Sequence, residues 1–250
     1  MRGTVHMTSP ERWMRAQEYE AGYWQAVAKD AAENSLGKID FYDWRAGELV
    51  KRLRHLGLDE SLRSESRVIE LGPGPVGLLG FLPGQTRVSV DPLNDYYSQD
   101  PSLADQRAAD VQYLTAPGEA VPLESAAWDF VIMENCIDHT RDPDAVLSEV
   151  WRLLKPNGTL YMTVNCRSRV GYYVHRMLAR LSLDPGHPHT YTARKFRQLA
   201  KSNRFEILWC HTESWRAAWI QDLRGPNLRA RAKALLGVSE HLSSIICRKV

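Results

Sequence analysis

The sequence predicts an α/β fold built on a seven-stranded, mostly parallel sheet with helices on both faces, a helical cap ahead of it and insertions towards its end. Three observations carry that expectation. Between Ser66 and Gly158 short apolar runs alternate with helical periodicity, the pattern of repeated strand-helix-strand units. The run Val68-Ile69-Glu70-Leu71 ends in Gly72-Pro73-Gly74-Pro75-Val76-Gly77, a glycine-rich turn of the kind that lets a sheet meet a nucleoside-bearing ligand. A second run, Thr86-Arg87-Val88-Ser89-Val90-Asp91, alternates and ends in a carboxylate able to accept both hydroxyls of a ribose.

The elements follow in order. From Pro10 to about Leu56, Trp13, Met14, Tyr19, Tyr23, Trp24 and Val27 recur at three- and four-residue steps, and Leu49, Leu53 and Leu56 do the same. This predicts helices in a cap of residues 10–60, followed by a main domain of residues 61–250. Residues 1–9, with an internal Met7, read as a tail outside the fold. The glycine turn then predicts a sharp passage from strand to helix, because glycine admits positive φ and lets backbone N–H groups approach a ligand closely. Its G-x-G-x-x-G spacing is loose by itself, shared by dinucleotide folds and by purely structural turns.

Trp128 to Met133 reads as a fourth strand, running into Glu134-Asn135-Cys136-Ile137-Asp138-His139. Asp142-Pro143-Asp144 opens the clearest helix, with Asp142 as cap, Pro143 in the first turn, and Val146, Leu147, Val150, Trp151 and Leu154 on one apolar face. Lys155-Pro156-Asn157-Gly158 stops it. Gly158 to Val164 is the fifth strand. An insertion over about 166–191 carries a short helix near Tyr172 to Leu183 and then Asp184-Pro185-Gly186-His187-Pro188-His189. Thr192 caps a helix bearing Phe196, Leu199 and Ala200, and Phe205 to Cys210 and Leu242 to Cys247 are the last strands. Between them, a second insertion over about 214–238 carries Arg216, Arg224, Arg229, Arg231 and Lys233, read either as a solvated helical face or as a lid for an anionic acceptor.

Composition bounds the function. A chain of 250 residues with 44% hydrophobic content can bury one large core. A net charge of +2 and a pI near 8.3 are too mild for a nucleic-acid partner. The four cysteines, Cys136, Cys166, Cys210 and Cys247, form no C-x-x-C pair, which argues against zinc and disulfides. No long apolar run or leader is present, so the expectation is a cytoplasmic chain without a membrane span.

Taken in order, the Glu70 to Gly77 turn, Asp91, the Trp128 to His139 segment and Leu153-Leu154-Lys155-Pro156-Asn157-Gly158-Thr159-Leu160 resemble the class I S-adenosylmethionine-dependent methyltransferases, in their small-molecule branch. That branch reads E-x-G-x-G, a strand-end acid, an "fDlV…H" segment and an "LKPGG" turn. The resemblance covers about residues 66–210. It implies a Rossmann-like sheet, S-adenosylmethionine as cofactor, and methyl transfer to an oxygen or nitrogen of a polar small molecule such as a sugar-like or natural-product intermediate.

Residue by residue, the resemblance implies that Glu70, Gly72, Pro73 and Gly74 line the methionine end of the cofactor and that Asp91 takes the ribose. Pro92 and Leu93 flank adenine, Gly118 and Glu119 stand in the segment beside it, and Glu134 and Asn135 offer backbone carbonyls to the cofactor's amino group. Where the family commonly places an acid for the adenine amino group, this chain has Pro117, so that contact must come from Gly118, Glu119 or a neighbour. His139 is the leading candidate for a catalytic base, since an imidazole with a pKa near about 6.5 suits proton removal near neutrality. His187, His189 and Tyr191 form the second set, with His189 as second catalytic candidate.

No metal is expected, because His187 and His189 are too close in an extended chain to face one site easily and a carboxylate-rich set is not evident. The expected partner is a small-molecule acceptor, with a homodimer left open. A nicotinamide-dependent reductase would share the glycine turn but lacks a recognisable catalytic pair. A catalytically silent fold that binds cofactor or a protein is the other alternative.

Overall fold

The computed structural model describes residues 7–34, 38–180 and 184–250. Residues 1–6 of the expected tail, and the end of the helix expected up to Leu183, lie outside the described residues. Helices α1 (Pro10–Asn34) and α2 (Lys38–His55) precede β1 (Arg67–Leu71) and β2 (Thr86–Asp91). Two short helices, α3 (Asn94–Ser98) and α4 (Pro101–Ala104), lead to β3 (Gln112–Thr115) and β4 (Trp128–Glu134). Then follow α5 (Pro143–Leu153), β5 (Leu154–Cys166), α6 (Arg169–Arg180), α7 (Ala193–Ser202) and β6 (Phe205–Thr212). The chain closes with α8 (Trp215–Arg224), α9 (Leu228–Leu235) and β7 (His241–Lys249).

The strands form one seven-stranded sheet in the order β3-β2-β1-β4-β5-β7-β6. Neighbours from β3 to β5 pair in parallel, and β7 alone runs against β5 and β6. This is the mostly parallel, Rossmann-like sheet that the sequence predicts.

Side-chain alternation shows why both faces are covered. On β1 and β4, Ile69, Leu71, Val131 and Met133 join one core, against Val146, Leu147 and Val150 of α5 and Phe196 and Leu199 of α7. Their neighbours Val68, Phe130 and Ile132 join the opposite core, against Tyr42, Ala46, Leu49 and Leu53 of α2. Each fully buried side chain of this size contributes about 1.5–3 kcal/mol, whereas a β-branched residue costs a helix only a few tenths, roughly, in propensity. Burial therefore decides that Val146 and Val150 sit in a helix. Asp142 caps α5 by accepting from the N–H groups of Asp144 (3.1 Å) and Ala145 (3.2 Å), and Thr192 caps α7 by accepting from Lys195 N–H (3.3 Å).

Three expectations need correction. No α-helix follows the glycine turn: a single 3-10 turn, Leu79–Phe81, stands between β1 and β2. Pro73 and Pro75 remove two donors, and the Glu70 carboxylate captures the N–H groups of Leu78 and Leu79 that would have started helical bonding. Lys155 to Gly158 does not separate helix from strand, because Leu154 already pairs with Trp128; the segment bulges out before Thr159 pairs with Phe130. Thr8, in the stretch expected as tail, donates its N–H to the Arg141 carbonyl at 2.8 Å.

Candidate functional site

The carboxyl ends of β1, β2 and β4 converge on a cavity of about 560 Å³, within the range of small-molecule sites. Ligands of open α/β sheets bind at this end of the strands. Glu70, Gly72, Pro73, Gly74, Asp91, Pro92, Leu93, Gly118, Glu119, Glu134 and Asn135 all line it, and so does His139. The opposite wall comes from α1 and α2, through Trp13, Tyr19, Glu20, Trp24, Tyr42 and Arg45 among others.

The glycine turn is shaped by contact. A Cβ on Gly72 (φ +65) would stand 2.4 Å from Cys136 Cβ, and one on Gly74 (φ +66) 2.8 Å from the Trp24 indole. Both positions combine a left-handed backbone with a neighbour that leaves no room for a side chain. The Cys136 thiol donates to the Leu71 carbonyl at 3.1 Å, and burial pushes its pKa well up, so it is a packing residue of the turn and not a nucleophile.

Both strand-end acids are buried and held by backbone N–H groups. Glu70 accepts from Leu78 (2.8 Å) and Leu79 (3.2 Å), and burial raises its pKa to about 8. Asp91 accepts from Leu93 (2.8 Å) and Gly74 (3.2 Å), and burial raises its pKa to about 7 despite those bonds. An ionised carboxylate offers about four lone-pair sites, so Asp91 keeps roughly two for outside donors. Glu119 accepts from the N–H groups of Arg141 (2.8 Å) and Asp142 (3.0 Å), fixing the loop before α5.

The Glu134 side chain is committed to Arg45 of α2, which meets it through Nε (3.1 Å) and Nη2 (2.7 Å). Asn135 has positive φ (48°) and donates its N–H to the Thr163 carbonyl at 3.1 Å. Its Oδ1 is buried without a hydrogen-bond partner.

Around His139 the structure gathers groups from distant parts of the chain. Glu20 Oε2 lies 3.6 Å from His139 Nδ1, Asp138 Oδ1 lies 4.0 Å from Nε2, and the His187 ring is 4.7 Å away, centroid to centroid. His187 lines the cavity; His189 does not. The His189 Nε2 instead meets the Thr140 carbonyl (3.0 Å) and Thr8 Oγ1 (3.3 Å), and burial lowers its pKa. Tyr191 is buried in the core against Phe196. Of the second histidine set, only His187 faces the cavity.

The family described as "Methyltransferase domain" matches residues 41–209. The chain belongs to this family. Among curated proteins, phosphoethanolamine N-methyltransferase 2 of Caenorhabditis elegans is 25% identical over 139 residues, a match spanning 50% of this chain and 31% of that protein. The chain thus matches about a third of the length of its curated relative. Among solved structures, geranyl diphosphate C-methyltransferase from Streptomyces coelicolor A3(2) superposes with a TM-score of 0.53 at 13% identity, covering 76% of this chain and 74% of that one. Phosphoethanolamine N-methyltransferase 2 of Haemonchus contortus gives 0.50 at 14% identity, covering 75% and 49%. At these identities the likeness is one of fold.

Several residues of this methyltransferase domain's site carry no sequence signal that singles them out. Glu20 and Arg45 lie in helices whose text marks their aromatic and apolar faces but does not single out these two charges. Asp184 organises the loop after α6: its carboxylate meets His175 Nε2 (2.6 Å) and His187 Nδ1 (3.0 Å). Those bonds hold the Asp184 carboxyl well below its usual pKa, although burial opposes them. Arg12 of α1 donates to the carbonyls of Pro185 and Asp184, the latter at 2.7 Å. Only the Asp-Pro-Gly-His text hinted that this loop was special. Among the described residues, no helix is long and apolar enough to cross a membrane.

Proposed function

We propose that this chain transfers a methyl group from S-adenosylmethionine to an oxygen or nitrogen of a polar small molecule, a sugar-like or natural-product intermediate or another small metabolite. One observation carries the reading: the turn, the strand-end acid, the Gly118-Glu119 segment, the end of β4 and His139 line one cavity. The cavity suits an adenosyl cofactor. Asp91 has acceptor capacity left for two hydroxyls, Gly72 and Gly74 line the cavity without side chains of their own, and Pro92 and Leu93 supply apolar edges for a base.

When bound, the cofactor supplies a methyl group on a sulfonium, a good leaving group. The protein's work is then alignment and exclusion of water, and alignment alone is worth about 7–11 kcal/mol in well-oriented cases. In this reading Asp91 fixes the ribose, while Gly72, Pro73 and Gly74 set the depth of the methionine end. The α1 aromatics Trp13, Tyr19, Tyr23 and Trp24 close the wet side. His139, flanked by Glu20 and Asp138, takes the acceptor's proton as the new bond to carbon forms and the bond to sulfur breaks.

A charged group near the cavity supports one acceptor class. Lys233, from the basic run, reaches the cavity, but Glu240 holds its Nζ at 3.1 Å. The relatives named above act, by their names, on phosphorylated molecules, and a phosphorylated or carboxylated acceptor here would compete with Glu240 for Lys233.

Calorimetric titration with S-adenosylmethionine, S-adenosylhomocysteine and NADH in parallel tests the proposal. Micromolar binding of the adenosyl pair alone is expected. Binding of NADH alone would return the nicotinamide reading, and binding of none of the three would leave a silent fold.

A further inference from the structure

At the acceptor end of the cavity, Asp138, His139 and His187 each bring one ligand-type atom to within 4.8 Å of the others. Asp138 is 4% exposed, yet its Oδ1 has no hydrogen-bond partner, and His139 Nδ1 makes no hydrogen bond either, with Glu20 Oε2 at 3.6 Å from it. Buried polar atoms in a folded protein are nearly always paired, so an unpartnered Asp138 Oδ1 lying 4.0 Å from His139 Nε2 points to something that occupies the space between them. His187 is set up differently. Its Nδ1 is bonded to the Asp184 carboxylate at 3.0 Å, which leaves Nε2 as the free ring nitrogen. A carboxylate on the far nitrogen is the arrangement that orients histidines towards metal ions and raises their basicity. Asp184 is itself fixed by His175 and by the N–H groups of Gly186 (3.2 Å) and His187 (3.3 Å).

We propose that Asp138, His139 and His187 bind one divalent transition-metal ion at the acceptor end of the cavity, with Asp184 as the positioning residue of His187. Two imidazoles and one carboxylate make a borderline donor set, suited to zinc, cobalt or ferrous ions more than to magnesium or calcium. Bonds of about 2.0–2.2 Å place neighbouring donors of a tetrahedral site about 3.4 Å apart, so small side-chain rotations close the triad. Three protein ligands leave a coordination position open to the cavity for an acceptor oxygen. Glu20, on the other side of His139, is the nearest further carboxylate.

This inference deepens the proposed methyl transfer and rests on it for the role of the ion. With the ion bound, His139 would serve as a ligand in place of the base role given above, and an acceptor hydroxyl acidified on the metal would release its proton to Glu20 or solvent. Its oxygen then takes the methyl as the carbon–sulfur bond breaks.

The test is titration of metal-stripped full-length protein with Co(II), read by the visible absorption of the bound ion, alongside S-adenosylmethionine titration of the same samples. One equivalent of Co(II) is expected to saturate the spectrum. Asp138→Asn and His187→Gln are expected to weaken binding at least tenfold, and Asp184→Asn by about tenfold or more. Cofactor affinity in these variants is expected to stay within about threefold of the parent, which also reports that they fold. No saturable Co(II) spectrum, or one unmoved by Asp138→Asn and His187→Gln, would overturn the metal site. Loss of S-adenosylmethionine binding by the parent protein would sink the methyltransferase reading instead, whatever cobalt does.

Discussion

The two ends of the cavity are built on opposite principles. At the end of the cavity read as the cofactor's, the acids that close β1 and β2 are answered by backbone N–H groups: Glu70 by Leu78 and Leu79, Asp91 by Leu93 and Gly74. At the other end the groups come from α1, the loop after β4 and the loop after α6, and Asp138 Oδ1 and His139 Nδ1 have no hydrogen-bond partner. At the first end the backbone fixes the acids and leaves Asp91 lone pairs for hydroxyl donors; at the second, buried Asp138 Oδ1 and His139 Nδ1 carry unmet bonding capacity. An unsatisfied buried polar group costs about 1–3 kcal/mol, so the acceptor end stores that cost in Asp138 and His139. This is the division expected where one ligand is common to a whole family and the other is particular to one protein.

The largest effect should come from breaking the cofactor end sterically. Gly72→Ala forces a Cβ against Cys136 Cβ and strains a backbone at φ +65. Loss of measurable S-adenosylmethionine binding is expected, with a lower thermal midpoint. Adding Cys136→Gly should recover part of it by removing the clash, leaving about 1–2 kcal/mol of backbone strain. Equal behaviour of the single and double variants would mean that contact does not shape the turn.

His139→Ala probes the other end, and there the two ends should separate. Turnover is expected to fall by about 10²–10⁴, the usual worth of a positioned base, while the cofactor dissociation constant hardly moves. Parallel loss of cofactor affinity would merge the two ends into one unit.

Asp91→Ala should weaken S-adenosylmethionine binding by roughly 10- to 100-fold, the loss of charge-assisted bonds to two hydroxyls. Its pH dependence gives a finer reading. With the carboxyl raised to about 7 by burial, and hydroxyl donors favouring the ionised form, affinity should rise with pH below about 7 and level off above it. The limiting change is about tenfold per pH unit. Calorimetry in buffers of different ionisation enthalpy would detect the released proton, and a flat profile in the parent protein would exclude Asp91 as the titrating group.

The smallest effect belongs to Glu70→Gln, which keeps an acceptor for Leu78 and Leu79. Because burial raises the Glu70 pKa from 4.5 to about 8, folding disfavours its charged form. The sign follows: its contribution is full below pH 4.5 and declines as pH rises through 8. Thermal midpoints of the parent protein should therefore fall between pH 6 and 9 more steeply than those of Glu70→Gln, with the two similar near pH 5. A steeper fall in the variant would show that Glu70 is charged in the fold.

Much of this was legible in the chain. Alternating runs located six of the seven described strands, β3 being missed, Asp142 and Thr192 announced the caps of α5 and α7, and the turn with Asp91 marked one end of the cavity, because each depends on neighbours a few residues away. The same local reading failed at the turn itself, where a helix was expected. The competing bonds came from Glu70, across the turn, and two prolines had already removed donors.

The acceptor end was nearly illegible. His139 was visible as a position, but the choice of His187 over His189 depends on Asp184, Arg12 and Thr140 pulling the loop from three sides. Glu20, which faces His139, is one acid among many on a long helix. The sequence by itself determined the sheet, its helical cover and the cofactor turn, since hydrophobic periodicity, proline and glycine act over a few residues. Only the tertiary structure decided which carboxylates and imidazoles meet, because their encounter depends on how α1 and the loop after α6 pack over the sheet, and no residue encodes that distance alone.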